Sequence, residues 1–287
     1  MDEVVQGYRR GAGWTSVGYG LHVRGTPSFE ATLRAWQAVL PPGAVFTHLT
    51  AARLRGWWLP AGATPVQVAV AETDRHPQRR GLTVVRLAEP PALERLGGLP
   101  VATAAETVLA AARDLAVLDL VPLADSALHL GHCTRDELAE VARKRRRGAP
   151  RLRQVLPLLD SRSESPWESI LRLLHHAADV EVEPQRRIED DAGRFVARAD
   201  LWVVGTRRLH EYDGEVHRDR DTHRADLARD RELVEHGWQR LGWTATEVLQ
   251  GGPVLTSLDA LLDRTWSSSR LARWRSWVAA SSWRTNR

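Results

Sequence analysis

At 287 residues, with 43% apolar and 26% charged side chains, the chain has the composition of a soluble globular protein of one large or two ordinary domains. It has no run of about 18 apolar residues to span a membrane and no charged-then-apolar start marking a secretory signal. Its one cysteine, Cys133, excludes an internal disulfide and a multi-cysteine zinc site and fits a reducing cytoplasm. The net charge of +4 is compatible with nucleic acid without requiring it.

In chain order, "GYGLHVRG" reads as a short strand or wing-like hairpin. A helix is predicted from Ser28 to Leu40, with Phe29, Leu33, Trp36 and Leu40 at helical spacing. Pro41-Pro42-Gly43 stops it, and a second helix runs from Thr47 to Trp57. "VQVAVAE" (66–72) and "LTVVRLA" (82–88) are strand-like, and helical patterns return at 102–114, 117–130 and 134–147. "RKRRRGAPRLR" (143–153) is a basic run, a solvated linker or a phosphate contact. Residues 1–160 are thus expected to form a mostly helical, winged-helix-related module that binds DNA or a partner.

"SRSES" marks the start of a new unit. Ser165-Pro166-Trp167-Glu168 supplies an N-cap, a proline at the first helical position and Glu at the third, a capping box. Strands are predicted near 181–188, 194–204 and 208–213, a charged helix from Asp219 to His236, and a last strand in "WQRLGW". Helix, three strands, helix, strand gives an αβββαβ core with a mixed sheet over residues 163–262. The fold class is α/β, α+β over the whole chain. Residues 263–287 form a basic, Trp-rich tail, read as a frayed or loosely docked amphipathic helix or as a nucleic-acid contact.

The most informative stretch is "ARADLWVVGTRRLHEYDGEVH" (197–217). With Gly205-Thr206 as a two-residue type II′ turn, Asp200 faces Glu211, and strand periodicity puts Asp213 on the same face. Like charges facing each other destabilise a sheet unless a cation joins them. Either a hard divalent ion does so, or the acids face water beside Arg198 or Arg208. Tyr212 falls on the other face, toward the core. His129, His132 and Cys133 lack a fourth ligand for zinc. No phosphate-loop or dinucleotide fingerprint is present, and no organic cofactor is expected.

"VARADLW…LHEYDGEVHRDR…RADLARDRELVEHGWQRLGWTATEVL" resembles the endonuclease-like domain related to very-short-patch repair (Vsr) nucleases, within the PD-(D/E)XK restriction-endonuclease-like fold. "AVFTHLTAARLRGWWLP", "GLPVATAAETVLAAARDL" and "SESPWESILRLL" are similar to the N-terminal region of the same proteins, which is often called AbiEi-antitoxin-like. The resemblance implies Asp200 and Glu211 as ligands of Mg²⁺ or Mn²⁺, joined by Asp213. It implies Glu168 as a further acidic member, and His217 as an acid/base group. Asp213 stands where the D…E-x-K pattern has lysine, a departure shared with Vsr-like branches. The implied activity is a metal-dependent DNA endonuclease in repair, restriction or defence. The alternative is an inactive DNA-binding regulator or antitoxin-like protein with a degenerate nuclease core.

Overall fold

The computed structural model describes residues 4–6, 13–60, 62, 65–190, 192–214 and 230–285. Two compact units emerge, Met1–Asp114 with Cys133–Leu156, and Leu115–His132 with Pro157–Arg287.

The first unit opens with a three-stranded antiparallel sheet in the order β1 (Val4–Gln6), β3 (Leu21–Arg24), β2 (Trp14–Gly18). "GYGLHVRG" therefore is part of a hairpin, as its glycines suggest. Helix α1 (Phe29–Gln37) starts at Ser28, whose Oγ accepts from the Ala31 N–H at 3.1 Å. Its Leu33 and Trp36 bury against Leu21, Phe46 and Val68. A five-stranded mixed sheet follows in the order β6 (Leu82–Leu87), β5 (Val66–Ala71), β4 (Val45–Phe46), β8 (Leu99–Ala102), β7 (Leu93–Leu96). Helix α2 (His48–Leu54) packs on β5 and on α3 (Ala104–Ala111). Helix α4 (Val117–His129) belongs to the second unit, and α5 (Arg135–Ala142) and α6 (Ala149–Val155) return to the first.

Eight strands among the described residues correct the mostly helical reading of 1–160. The strands missed include β7 and β8, which join through Gly97-Gly98 with φ of 56° and 85°. Positive φ at both central residues is what a type I′ hairpin requires. Four-residue strands, one carrying Pro100, gave too little periodicity to register.

The second unit is built on a sheet in the order β12 (Gln239–Trp243), β11 (Arg208–Tyr212), β10 (Phe195–Val203), β9 (Val182–Glu189). The β11–β12 pair is parallel and the other two are antiparallel. Helix α7 (Pro166–Ala177) is capped by Ser165, whose Oγ accepts from Glu168 N–H at 3.2 Å. Its apolar stripe, Ile170, Leu171 and Leu174, is fully buried. Helix α8, described over residues 230–235, brings Leu233 against Leu209 and Val196 before β12. The described elements run α7, β9, β10, β11, α8, β12, and positions 219–229 of the helix expected before β12 lie outside the described residues. Three helices complete the unit: α9 (Ala245–Gln250), α10 (Gly252–Leu261) and α11 (Ser268–Ala280).

Two boundaries change. Helix α4 joins the second unit because its fully buried Asp125 accepts from Ser169 Oγ at 2.7 Å and from Asp160 N–H at 2.8 Å, and pairs with Arg172. Residues beyond 263 are no frayed tail. Trp274 on α11 has no exposed surface and its Nε1 donates to Val248 O at 2.9 Å. Trp283 Nε1 donates to Leu118 O at 3.2 Å. Among the described residues no helix is long and apolar enough to cross a membrane.

Candidate active site

The hairpin register runs in the phase its sequence implies. Leu201 faces His210 and Trp202 faces Leu209, so one step further Asp200 faces Glu211. The turn itself differs. Thr206 N–H donates to Val203 O at 3.2 Å, with Gly205 at the third position and φ 78°, the sign a type II turn takes there. Arg208 N–H donates to Thr206 Oγ1 at 3.0 Å before the strand resumes. A four-residue connection, 204–207, replaces the two-residue turn. One residue is added on each side, so the register is unchanged.

The neighbouring strands extend this pair into a row. On β9, Pro184 faces Leu201 and Arg186 faces Ala199, which places Gln185 across from Asp200. On the parallel side, Gly242 of β12 lies beside Glu211. Gln185, Asp200, Glu211 and Gly242 therefore cross the sheet in one line.

Each acid on or near that line has a defined partner. Asp200 is half-buried, and its Oδ2 accepts from the Tyr212 N–H at 3.1 Å, serving β11 as a backbone carbonyl would. Glu211 is 8% exposed and pairs through Oε2 with Arg240 Nη1. Arg240 also reaches Asp230, Nε to Oδ1 at 2.8 Å. Burial alone would lower the Arg240 pKa, but Glu211, then Asp230, raise it above the ordinary value. Asp213 donates its N–H to Trp243 O at 3.0 Å, and its carboxylate lies over the Gly242 backbone. A Cβ at 242 would stand 1.8 Å from Asp213 Oδ2.

Glu168, 8% exposed at the start of α7, completes the cap differently from a capping box. Its Oε2 accepts from the Glu164 N–H at 2.8 Å and from Gln185 Nε2 at 2.8 Å. Gln185 holds φ 54°, in the left-handed region. The row is thus tied to α7 through Gln185. Tyr212, only partly buried, stacks on Trp167 of α7 at 5.1 Å between ring centroids. His217, and the helix positions Asp226 and Arg229, lie outside the described residues.

On the other face of β11, His210 is fully buried and its Nδ1 lies 2.8 Å from His175 Nε2. His175 Nδ1 meets Leu171 O at 2.8 Å. A carbonyl only accepts, so the His175 proton sits on Nδ1, and His210 Nδ1–H donates to His175 Nε2. Burial lowers the pKa values, to about 4 for His175 and about 2 for His210. Both rings are neutral.

Among the described residues no three His, Cys, Asp or Glu side chains converge as a metal-holding group. Mg²⁺, however, needs only one or two carboxylates, with waters and substrate phosphate filling the octahedron. Asp200 and Glu211, hard oxygen donors on adjacent strands in direct register, fit that requirement. Three residues of this arrangement escaped sequence reasoning: Gln185, Arg240 and Gly242. Only Gly242 carried a local signal, a glycine inside a predicted strand.

No family model and no curated protein matches the chain. A solved structure, the crystal structure of the RV2827C protein from Mycobacterium tuberculosis, aligns with a TM-score of 0.37 at 17% identity. The alignment covers 56% of this chain and 64% of that one. A likeness that weak carries no argument about either molecule.

Proposed function

We propose that the second unit is a metal-dependent DNA endonuclease of the restriction-endonuclease-like type, acting in the cytoplasm in repair, restriction or defence. What supports this reading is the β10–β11 register, Leu201 against His210, whose continuation by one step sets Asp200 against Glu211, with Asp213 beside Gly242. Asp200 and Glu211 are the residues that would hold Mg²⁺ or Mn²⁺. When bound, such an ion supplies Lewis-acid neutralisation of the scissile phosphodiester.

The chain's own groups prepare that chemistry. Tyr212 N–H fixes the Asp200 carboxylate, and Arg240 fixes that of Glu211. Arg240 also returns a cation to a site whose D…E-x-K lysine position is Asp213. Its guanidinium stays charged throughout the physiological range. Glu168, oriented by Gln185 Nε2 and Glu164 N–H, is the further acid of the site, and His217 remains the proposed proton carrier.

Plasmid DNA incubated with the protein and Mg²⁺ or Mn²⁺ tests the proposal. Nicking or cutting by the wild type and loss in Asp200→Ala and Glu211→Ala is the expected result. Equal cleavage by both variants would trace the activity to a contaminant and sink the reading.

The Glu211–Arg240 pair favours one rival. An arginine offsets the buried carboxylate without any metal, as it would in a DNA-binding regulator whose nuclease core is degenerate. That protein binds DNA and leaves it intact at every metal concentration.

A further inference from the structure

The first unit contains a cleft of about 820 Å³ that the nuclease reading does not use. Its lining combines apolar Ala69, Val84 and Ala110 with the cations Arg113 and residues 144–147. Six basic residues line it against two acids, Glu72 and Glu89. Lys144 and Arg146 both pair with Glu106 of α3, which is 1% exposed. Gly148, with φ 94°, closes the loop against the end of α3, where a Cβ would stand 2.4 Å from Leu109 O. The basic run is therefore anchored at two points rather than being a solvated linker. Arg145 and Arg147 are exposed and have no ion-pair partner among the described residues.

A second observation is independent of the charges. His48, at the start of α2, lines the same cleft, is 3% exposed, and holds φ 50°. Neither ring nitrogen has a hydrogen-bond partner among the described residues. Asp114 Oδ2 lies 3.6 Å from Nε2, beyond hydrogen-bond length. Burial brings its pKa down to about 4, so the ring is neutral and carries one N–H donor. Both nitrogens are closed to solvent, so the imidazole serves the cleft as a fixed, uncharged stretch of wall and leaves ligand contact to the arginines.

We propose that this cleft binds an organic phosphate of nucleotide size, its phosphate on Arg145 and Arg147 and its apolar body over Ala69, Val84 and Ala110, with His48 at the wall. The volume is that of a small-molecule pocket, and an inorganic phosphate would leave the apolar lining uncovered. Arginine forks match phosphate oxygens in pairs. A free nucleotide and the 5′-terminal nucleotide of a nucleic-acid strand offer this same chemistry. The site belongs to the first unit and the proposed nuclease to the second, and its test runs without divalent metal.

Full-length protein in EDTA, at about 0.15 M salt, is titrated into a fluorescent adenosine diphosphate and into 5′-phosphorylated and 5′-hydroxyl single-stranded oligonucleotides. Anisotropy is the readout. Expected is saturable binding of the mononucleotide, or about tenfold tighter binding of the 5′-phosphorylated strand than of the 5′-hydroxyl one. The first outcome assigns the free nucleotide and the second the strand end. In Arg145→Ala/Arg147→Ala, exposed positions whose loss leaves thermal stability intact, that binding or that preference disappears. The proposal is overturned if the wild type shows neither, or if the double variant retains what the wild type shows.

Discussion

The Asp213 carboxylate occupies the space that any side chain at Gly242 would need. The two residues lie at the ends of adjacent parallel strands, and a Cβ at 242 would overlap Asp213 Oδ2 at 1.8 Å. Gly242 thus leaves the room that a carboxylate of the candidate site fills, and a side chain on β12 would turn that carboxylate away.

Gly242→Ala should therefore displace Asp213. The displaced atoms are the end of a partly exposed side chain, so the cost is at the low end of overpacking, about 1 kcal/mol, readable as a slightly lowered Tm. Asp213→Ala in the same chain should recover most of it, because the overlapping atoms are gone. A double variant no more stable than Gly242→Ala would show that the strain lies in the β12 backbone instead.

Arg240→Ala leaves Glu211 buried without its cation. Removing one partner of a buried pair costs about 3 kcal/mol. The side chains are only 13% and 11% exposed, so solvent offers little relief. Glu211→Gln should restore most of the loss, giving a strong coupling in a double-mutant cycle. If the row also holds a divalent ion, millimolar Mg²⁺ raises the Tm of Arg240→Ala more than that of the wild type. An equal response in both proteins would place cation binding elsewhere.

The local parts of this arrangement were legible in the sequence and the non-local parts were not. Asp200 opposite Glu211 follows from any turn centred between Gly205 and Thr206, and so survived a change from two connecting residues to four. The Ser165 cap and the element order from α7 to β12 came from short-range patterns. Arg240 could not be found that way, since it reaches Glu211 only through the parallel pairing of β11 with β12, after a long crossover. Gln185 looked like an ordinary strand residue, although its left-handed backbone sends it toward Glu168. Helix α4 read as part of the first unit because proximity in sequence was the only guide. Its buried Asp119 and Asp125 bind groups from 160 to 282.

The C-terminal helix should be a structural member of the second unit. Trp274 is fully buried, and Gly251 lies so close that a Cβ there would stand 2.4 Å from its Cδ1. Arg264 and Arg270 both pair with Asp259, which is 5% exposed. Trp274→Ala should cost about 3–5 kcal/mol, and a chain ending at 263 should unfold its second unit at a clearly lower temperature. Calorimetry of both variants checks this. Unchanged unfolding would return residues 264–285 to the status of a tail.

Acid should weaken the second unit through its histidine pair. His175 and His210 are held neutral by burial, with pKa values lowered to about 4 and about 2 against about 6.5 in an unfolded chain. Below pH 6.5 the unfolded state binds protons that the folded state refuses, so stability falls with falling pH. It is fully present above 6.5, declines from there toward 4, and for His175 alone reaches a loss of about 3 kcal/mol at pH 4. Asp119 and Asp125, whose pKa values burial raises, act in the opposite sense. The measurement is therefore a difference: Tm against pH for the wild type and for His175→Leu/His210→Leu. The variant should lose less between pH 6.5 and 4, since it has no imidazoles there to protonate on unfolding. Parallel curves would show that the acid sensitivity of this unit has another source.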